Sequence, residues 1–312
     1  MAVVLFHENY LTIQSGMRAI GNYILRGRLQ AIGVISFLTI FSLLFPALAY
    51  LMSGVPVALV TLRKGGQIGI QVIAGSLLLS LLLSLLMQIS PPVVLVFAIS
   101  IWLPVWFCAL IMRESASHGL LVLSSGVFGM LFIILMYSFM ADVNGWWRSS
   151  IDVWLQSSFP DGAGDEYLQL FEAAVPLMNA MMASGIVISL ILTILIARWW
   201  QSLLFNAGAF RKEFYALHLP RALFYPTLIG VILLWLGKDL QQSLLRDLLI
   251  VVVFLYLFQG LSTIHRLVSK KGLSHSWLIG LYALLMLMPQ MILFMACVGM
   301  ADSWFGSGKM NS

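Results

Sequence analysis

The chain is a succession of long apolar stretches separated by short polar clusters, and the length of the first stretch indicates how it folds. From Leu29 to Leu62 there is no charged residue. As one helix, this stretch would be about 51 Å long at 1.5 Å per residue, whereas the hydrocarbon layer of a membrane is about 30 Å thick. We therefore predict a hairpin that is broken near Pro46 or at Ser53–Gly54, with short or re-entrant arms.

The next stretch, residues 65–112, is also too long for one span. The paired prolines Pro91 and Pro92 forbid a continuous helix through residues 88–92, so two more helices are expected. The predicted fold class is therefore all-α, a polytopic transmembrane helical bundle of about eight or nine helices. Each of the remaining apolar stretches predicts one helix, at residues 119–141, 173–197, 222–237, 248–264 and 277–300.

Composition supports this class and excludes others. Hydrophobic residues make up 61% of the 312 residues and charged residues 9%, against about 45–50% and about 25% in soluble domains. Too little polar sequence remains for a soluble catalytic domain or a nucleic-acid module. We predict a cytoplasmic or interfacial N-terminal segment (residues 1–28), a single transmembrane domain (29–303) and a short tail (304–312).

The distribution of basic residues predicts the orientation. Placing the N-terminus and residues 63–64, 113–118, 198–221 and 265–276 on the cytoplasmic side puts 13 of the 17 Lys and Arg residues there. Cytoplasmic loops are enriched in Lys and Arg. The predicted location is therefore the bacterial cytoplasmic (inner) membrane, with multiple crossings and a cytoplasmic N-terminus.

Two loops are long enough to carry structure of their own. The outer loop, residues 142–172, begins with a tryptophan-rich segment that predicts a helix in the membrane interface, followed by an acidic run at 161–166 that we interpret as solvated. The inner loop, residues 198–221, is basic and aromatic and is expected to lie on the membrane surface. Its candidate partner- or lipid-binding residues are Arg198, Trp199, Trp200, Arg211, Lys212 and Arg221.

Ionisable residues are missing from the middle of every predicted helix. Proton and cation coupling normally requires such residues inside the bilayer, so an ion-coupled transporter is disfavoured. The chain also lacks motifs for nucleophilic, nucleotide or zinc chemistry. We therefore expect no enzymatic activity, no catalytic residue, no cofactor and no metal.

Neutral polar and aromatic residues at membrane depth define a candidate ligand pocket. The amides can bind a ligand or join helices. The Trp-Leu-Pro-Val-Trp segment can form an aromatic wall or a kinked helix with bulky packing residues. Ser76, Ser80 and Ser84 indicate close helix packing, as do the pairs Gly65/Gly69 and Gly126/Gly129. The candidate pocket residues are Gln71, Trp102, Trp106, Asn179, Gln259 and Gln290.

Four parts of the chain form a recognisable set, namely residues 56–65 (Pro-Val-Ala-Leu-Val-Thr-Leu-Arg-Lys-Gly), Arg198–Gln201 with Asn206–Gly208 and Arg211–Phe214, Gln259–Leu261 leading to His265, and Gly299–Trp304. Together these stretches resemble the YybS-like family of predicted bacterial membrane proteins. That family is similar in outline to the substrate-binding S components of energy-coupling-factor transporters, and the likeness concerns the fold rather than a function. The tail departs from the family because it lacks a basic run.

Two functional hypotheses follow. The first is a small-molecule binding or transport subunit resembling an S component, without an intramembrane ion relay, that takes a small neutral ligand and engages an energising or cytoplasmic protein partner. The alternative is a non-transporting scaffold that recruits a partner through the basic aromatic loop 198–221. Neither the ligand nor the partner is indicated by the sequence.

The number of crossings can be tested at the C-terminus. With nine crossings the C-terminus lies outside the cell, and with eight it lies inside. A C-terminal fusion to a reporter that is active only in the cytoplasm should therefore be inactive with nine crossings and active with eight, so activity of this fusion would overturn the nine-crossing topology.

Overall fold

The computed structural model describes residues 2–42, 45, 48–159, 171–237, 241–274 and 276–305. Over these ranges the chain is helical and contains no β-strand, so the predicted all-α class is confirmed. The helices are α1 (Ala2–Arg26), α2 (Arg28–Ser42), α3 (Val55–Lys64), α4 (Gly66–Leu86), α5 (Pro91–Phe97), α6 (Leu103–Ser115), α7 (His118–Phe139), α8 (Val143–Ser158), α9 (Val175–Phe205), α10 (Ala209–Tyr215), α11 (Phe224–Leu236), α12 (Gln241–Lys270), α13 (Ser276–Leu287) and α14 (Gln290–Phe305).

Fewer of these helices are long enough to cross a membrane than the sequence predicted. Within the described residues, five helices have the length and apolar character of a span, or six if α1 and α2, bent by 117° at their junction, form one span together. Three further apolar helices are shorter, at Arg221–Leu236, Ser276–Leu287 and Gln290–Phe305. At 1.5 Å per residue they do not cover about 30 Å of hydrocarbon unaided. The predicted eight or nine crossings are therefore not confirmed.

The chain forms two compact units, residues 1–121 with 189–216 and residues 122–188 with 217–312. In the first unit, α3 is the central helix, and it packs against α4 and α6. All its residues from Val55 to Leu62 are buried. A helix that is apolar on every side is stable only when neighbours surround it. This helix ends at Lys64, and the next residue, Gly65, has a φ of 94°, a conformation that favours glycine.

The predicted break at Ser53–Gly54 is wrong. These residues lie in a π-helical stretch, Tyr50–Gly54, that continues directly into α3. The preceding helix, α2, ends at Ser42. The alternative break at Pro46 lies outside the described residues.

The predicted break at residues 88–92 is confirmed. The first helix, α4, ends at Leu86 and α5 begins at Pro91, because a proline cannot donate the backbone hydrogen bond that a helix interior needs. Between them Gln88 has a φ of 57°. Farther along, the π-helical stretch Ala98–Trp102 lies between α5 and α6.

Small residues allow close packing in the first unit, as the sequence predicted. Ser76, Ser80 and Ser84 are fully buried along one face of α4. The Ser36 hydroxyl of α2 donates to the carbonyl of Ser76 at 3.2 Å. A Cβ at Gly69 would lie 2.5 Å from the Thr61 hydroxyl, so α3 and α4 touch at this glycine.

The second unit is organised around the contact of α12 with α14. A Cβ at Gly260 would lie 2.0 Å from the carbonyl oxygen of Met295, and one at Gly299 would lie 2.1 Å from that of Tyr256. The two helix backbones are therefore in direct contact, which only glycine permits.

A second close approach joins α7 to α9. A Cβ at Gly129 would lie 2.4 Å from Val187 and 3.1 Å from the carbonyl oxygen of Ala183. A Cβ at Gly126 would lie 2.7 Å from Leu255 of α12. The close packing predicted for Gly126 and Gly129 is confirmed.

The helix predicted in the first half of the outer loop is confirmed as α8. The Asp142 carboxylate accepts a hydrogen bond from the Gly145 N–H at 3.0 Å and so caps the helix. The acidic run at 161–166 lies outside the described residues.

We expect Gly260→Ala to destabilise the protein by about 1–3 kcal/mol, because a methyl group at a backbone contact forces α12 and α14 apart. The midpoint of thermal unfolding in detergent measures this. The matched control is Gly185→Ala, since a Cβ at Gly185 meets nothing within 4 Å. Equal midpoints for the two variants would contradict the proposed backbone contact.

Candidate functional site

A polar cluster of the second unit surrounds Leu219, which is fully buried in the segment before α11. Its N–H donates to Oε1 of Gln259 at 3.1 Å. Its carbonyl oxygen accepts from the Ser303 hydroxyl at 3.1 Å. Because a buried backbone group without a partner is costly, these two side chains fix the segment onto α12 and α14.

Charged groups extend this cluster. The Asp302 carboxylate accepts from Gln259 Nε2 at 3.1 Å and from Arg266 Nη2 at 2.6 Å. His218 Nδ1 lies 3.9 Å from Oδ2 of Asp302 and 3.3 Å from Nε2 of Gln259. Burial lowers the pKa of His218, the Asp302 carboxylate opposes this shift, and Arg266 and Arg221 reinforce it. The cluster joins an amide, a carboxylate, a guanidinium and an imidazole.

A buried carboxylate, Asp247, forms a second cluster in this unit. It is fully buried, and its Oδ2 accepts from the Tyr137 hydroxyl at 3.1 Å and from Asn179 Nδ2 at 3.0 Å. Its Oδ1 accepts from Arg246 Nη2 at 3.1 Å, and the same guanidinium group donates to the carbonyl of Pro176. A buried charge is tolerated because it is paired and fully hydrogen-bonded.

Sequence reasoning missed Asp247 because the predicted helix began at residue 248. The structure begins α12 at Gln241 and so places Arg246 and Asp247 within it. The adjacent opposite charges at the edge of an apolar stretch were the available signal. Whether such a carboxylate is buried depends on α7 and α9, which the local sequence does not specify.

In the first unit, the inner loop is held by an ion pair. The Arg198 guanidinium donates through both Nε and Nη2 to the Glu213 carboxylate, with Nε at 2.8 Å from Oε2. It also donates to Oε1 of Gln201. Bidentate Arg–carboxylate pairs of this kind fix geometry as well as adding energy. This pair attaches α10 to α9.

Aromatic packing attaches α10 to the start of α7. The ring of His118, only 2% exposed, meets Phe210 and Phe214 edge-on, with ring centroids 5.7 and 6.2 Å apart. The backbone N–H of Phe210 donates to the Ser202 hydroxyl at 3.4 Å. One face of α10 is therefore packed on its own unit, and Arg211 and Lys212 are exposed.

A polar cavity of about 320 Å³ lies beside the end of α3, and it is lined in part by Arg113, Glu114, Arg198 and Gln201. Arg113 Nη1 donates to the carbonyl of Leu62 at 2.8 Å, and Gln201 Nε2 donates to the same oxygen at 3.4 Å. These donors satisfy a carbonyl that the last turn of α3 leaves without an intrahelical partner.

The predicted pocket residues of the first unit have different surroundings. Trp102 is fully buried, and Trp106 is half-buried and donates through Nε1 to the carbonyl of Gly66 at 3.0 Å. Gln71 is exposed on α4. The exposed amide and the buried indole of Trp102 therefore do not line one enclosed space.

In the second unit, Asn179 binds Asp247 and Gln259 binds Asp302. The positions 247 and 259 are about 18 Å apart along α12, at 1.5 Å per residue. Gln290 is exposed at the start of α14. These three amides therefore lie in separate environments, and binding of a ligand by any of them stays a prediction.

The residues predicted to bind a partner or lipid on the inner loop also differ in their exposure. Trp199 is exposed, like Arg211 and Lys212, whereas Trp200 is half-buried and donates through Nε1 to the carbonyl of Met17 at 3.0 Å. Arg221 is exposed in the second unit.

The fold and these clusters define a polytopic helical membrane protein. Comparison with known protein families shows which family it belongs to. Residues 32–303 match the model of the family described as predicted membrane protein (DUF2232), so the chain belongs to that family. No curated protein and no solved structure matches the chain.

We expect Gln259→Leu to destabilise the protein by about 1–3 kcal/mol, because the buried N–H of Leu219 loses its acceptor. The unfolding temperature in detergent measures the effect. The control is Gln290→Leu, which removes an exposed amide of the same unit and should leave that temperature nearly unchanged. Similar shifts in both variants would show that Gln259 does not hold the Leu219 segment.

Proposed function

We propose that this protein is a non-enzymatic, multi-pass protein of the bacterial cytoplasmic membrane that recruits an acidic protein partner through α10. The observation that carries the proposal is the ion pair between Glu213 and Arg198. It neutralises the single acidic residue of α10 and leaves Arg211 and Lys212 as the exposed charges of this helix.

The architecture of α10 supports recruitment by a fixed surface. Phe210 and Phe214 pack on His118. Arg211 donates through Nε to the Tyr215 hydroxyl at 2.9 Å, and its guanidinium carbon lies 5.4 Å from the centre of that ring. Holding a charged side chain in place before binding reduces the entropy lost when a partner docks. Charge complementarity then selects an acidic partner and accelerates its association.

The placement of the predicted pocket residues favours recruitment over small-molecule binding. Gln71 and Gln290 are exposed. Asn179 and Gln259 each hold a carboxylate of the protein itself. A small neutral ligand would have to compete with these internal hydrogen bonds, and their loss would cost free energy.

The resemblance to YybS-like proteins is compatible with this proposal. An S component engages an energising partner, and a basic helix on the cytoplasmic side would suit such an engagement. The Lys and Arg distribution supports a cytoplasmic location for α10 and for the N-terminus.

The proposal is tested by photo-crosslinking in cells, with a photoreactive amino acid at Trp199, an exposed position near α10. The wild-type chain should give a discrete protein crosslink. The double charge reversal Arg211→Glu with Lys212→Glu should remove most of it, since two attractive charges become repulsive.

The matched control reverses Arg26 and Arg28, two other exposed basic residues on the predicted cytoplasmic side. It should leave the crosslink intact, and the unfolding temperatures of both variants should match the wild type. An unchanged crosslink after reversal of Arg211 and Lys212, or crosslinks to lipid alone, would overturn the proposal.

A further inference from the structure

An apolar groove lies between the last turns of α12 and most of α13, within the second unit. Its volume is about 590 Å³, inside the range of about 300–1,000 Å³ that is typical of ligand sites. Leu267 and Val268 of α12 form one side, and Leu281 and Leu284 of α13 form the other. Gly280 also lines the groove, and a Cβ at this glycine would meet nothing within 4 Å.

The length of the groove matches one leaflet of a membrane. Its lining on α13 extends from Ser276 to Leu284, which is about 12 Å at 1.5 Å per residue. The hydrocarbon of one leaflet is about 15 Å thick, half of about 30 Å. The groove therefore has the length and polarity to hold part of an acyl chain.

The groove is polar and positively charged at one end only. Lys271 lies there with the hydroxyl groups of Ser274 and Ser276. Trp277, 67% exposed, lies at the same end, as is typical of tryptophans at the level of lipid headgroups. The sequence has no Asp or Glu between residues 248 and 301. The carboxylate that follows, Asp302, is paired with Arg266.

We propose that this groove binds an anionic phospholipid of the cytoplasmic leaflet. The acyl chain lies along Leu267, Leu281 and Leu284, and the phosphate accepts hydrogen bonds from Lys271 and the two serine hydroxyls. A single positive end next to an apolar channel complements a negatively charged headgroup joined to a hydrocarbon chain. This site uses a different unit from the partner surface on α10, so either proposal can fail without the other.

The test titrates delipidated protein in detergent with phosphatidylglycerol or with phosphatidylcholine of the same acyl chains, and counts bound lipid by native mass spectrometry. The wild type should prefer phosphatidylglycerol. Lys271→Gln should weaken phosphatidylglycerol binding about fivefold, as expected for one lysine beside a headgroup with a net negative charge. It should weaken phosphatidylcholine binding less, because the choline cation already offsets the phosphate charge of that lipid. Equal binding of the two lipids by the wild type would overturn the proposal.

Two matched pairs of variants, Gly280 with Gly185 and Lys271 with Lys270, distinguish lipid binding in the groove from effects of the same substitution elsewhere in the protein. Gly280→Leu should weaken both lipids more than tenfold by filling the channel, since each buried CH₂ contributes about fourfold. Gly185→Leu, at an exposed glycine with equal free space, should bind like the wild type. Lys270→Gln, next to Lys271 but outside the groove lining, should also bind like the wild type. Unchanged binding by Gly280→Leu, or equal losses within either pair, would overturn the proposal.

Discussion

Every buried backbone N–H and C=O group of a membrane protein must find a partner inside the protein, because the hydrocarbon offers none. Helices satisfy most of these groups, but the groups at helix ends and bends remain. Here polar side chains supply the missing partners. Arg113 and Gln201 bind the carbonyl of Leu62, and the Tyr50 hydroxyl binds the carbonyl of Ser100 in a π-helical stretch at 2.6 Å.

The same constraint explains where the few buried charges lie. Asp247 and Arg246 share a network that also satisfies the carbonyl of Pro176. Arg198 binds both Glu213 and Gln201. Removing a charge from water is expensive, and full hydrogen bonding offsets the cost. Only 9% of the residues in the chain are charged. Arg246 and Arg198 each make several of the contacts described above, so one charged side chain serves more than one connection.

The pairing of acidic residues inside the protein also explains the two surfaces with proposed functions, the basic face of α10 and the groove beside Lys271. Glu213 is occupied by Arg198, so the exposed face of α10 is basic. Asp302 is occupied by Arg266, so the segment around Lys271 has no acidic neighbour within its sequence region. In both places an internal ion pair removes the negative charge and leaves a positive surface, one next to aromatic packing and the other next to an apolar groove.

The helical class, the proline break before α5 and the helical conformation of α8 could be predicted from the sequence. The close packing at the serine row of α4 and at Gly126 and Gly129 could be predicted in the same way. Each of these depends on local covalent geometry or on residue size within one helix. The surroundings and hydrogen-bond partners of the amide side chains could not be predicted from the sequence. Gln71, Asn179, Gln259 and Gln290 were equivalent as polar residues in apolar stretches, yet two are exposed and two bind different carboxylates.

These outcomes depend on tertiary packing, because the partner of a polar side chain is set by residues far away along the chain. Asn179 meets Asp247, and Gln259 meets Leu219 and Asp302, through the packing of separate helices. Tertiary packing also explains why α12 begins before Asp247 and why the helix continues through Ser53 and Gly54. Neighbouring helices bury these residues. Local pattern thus specified the elements, and long-range packing specified which charges remain available at the surface.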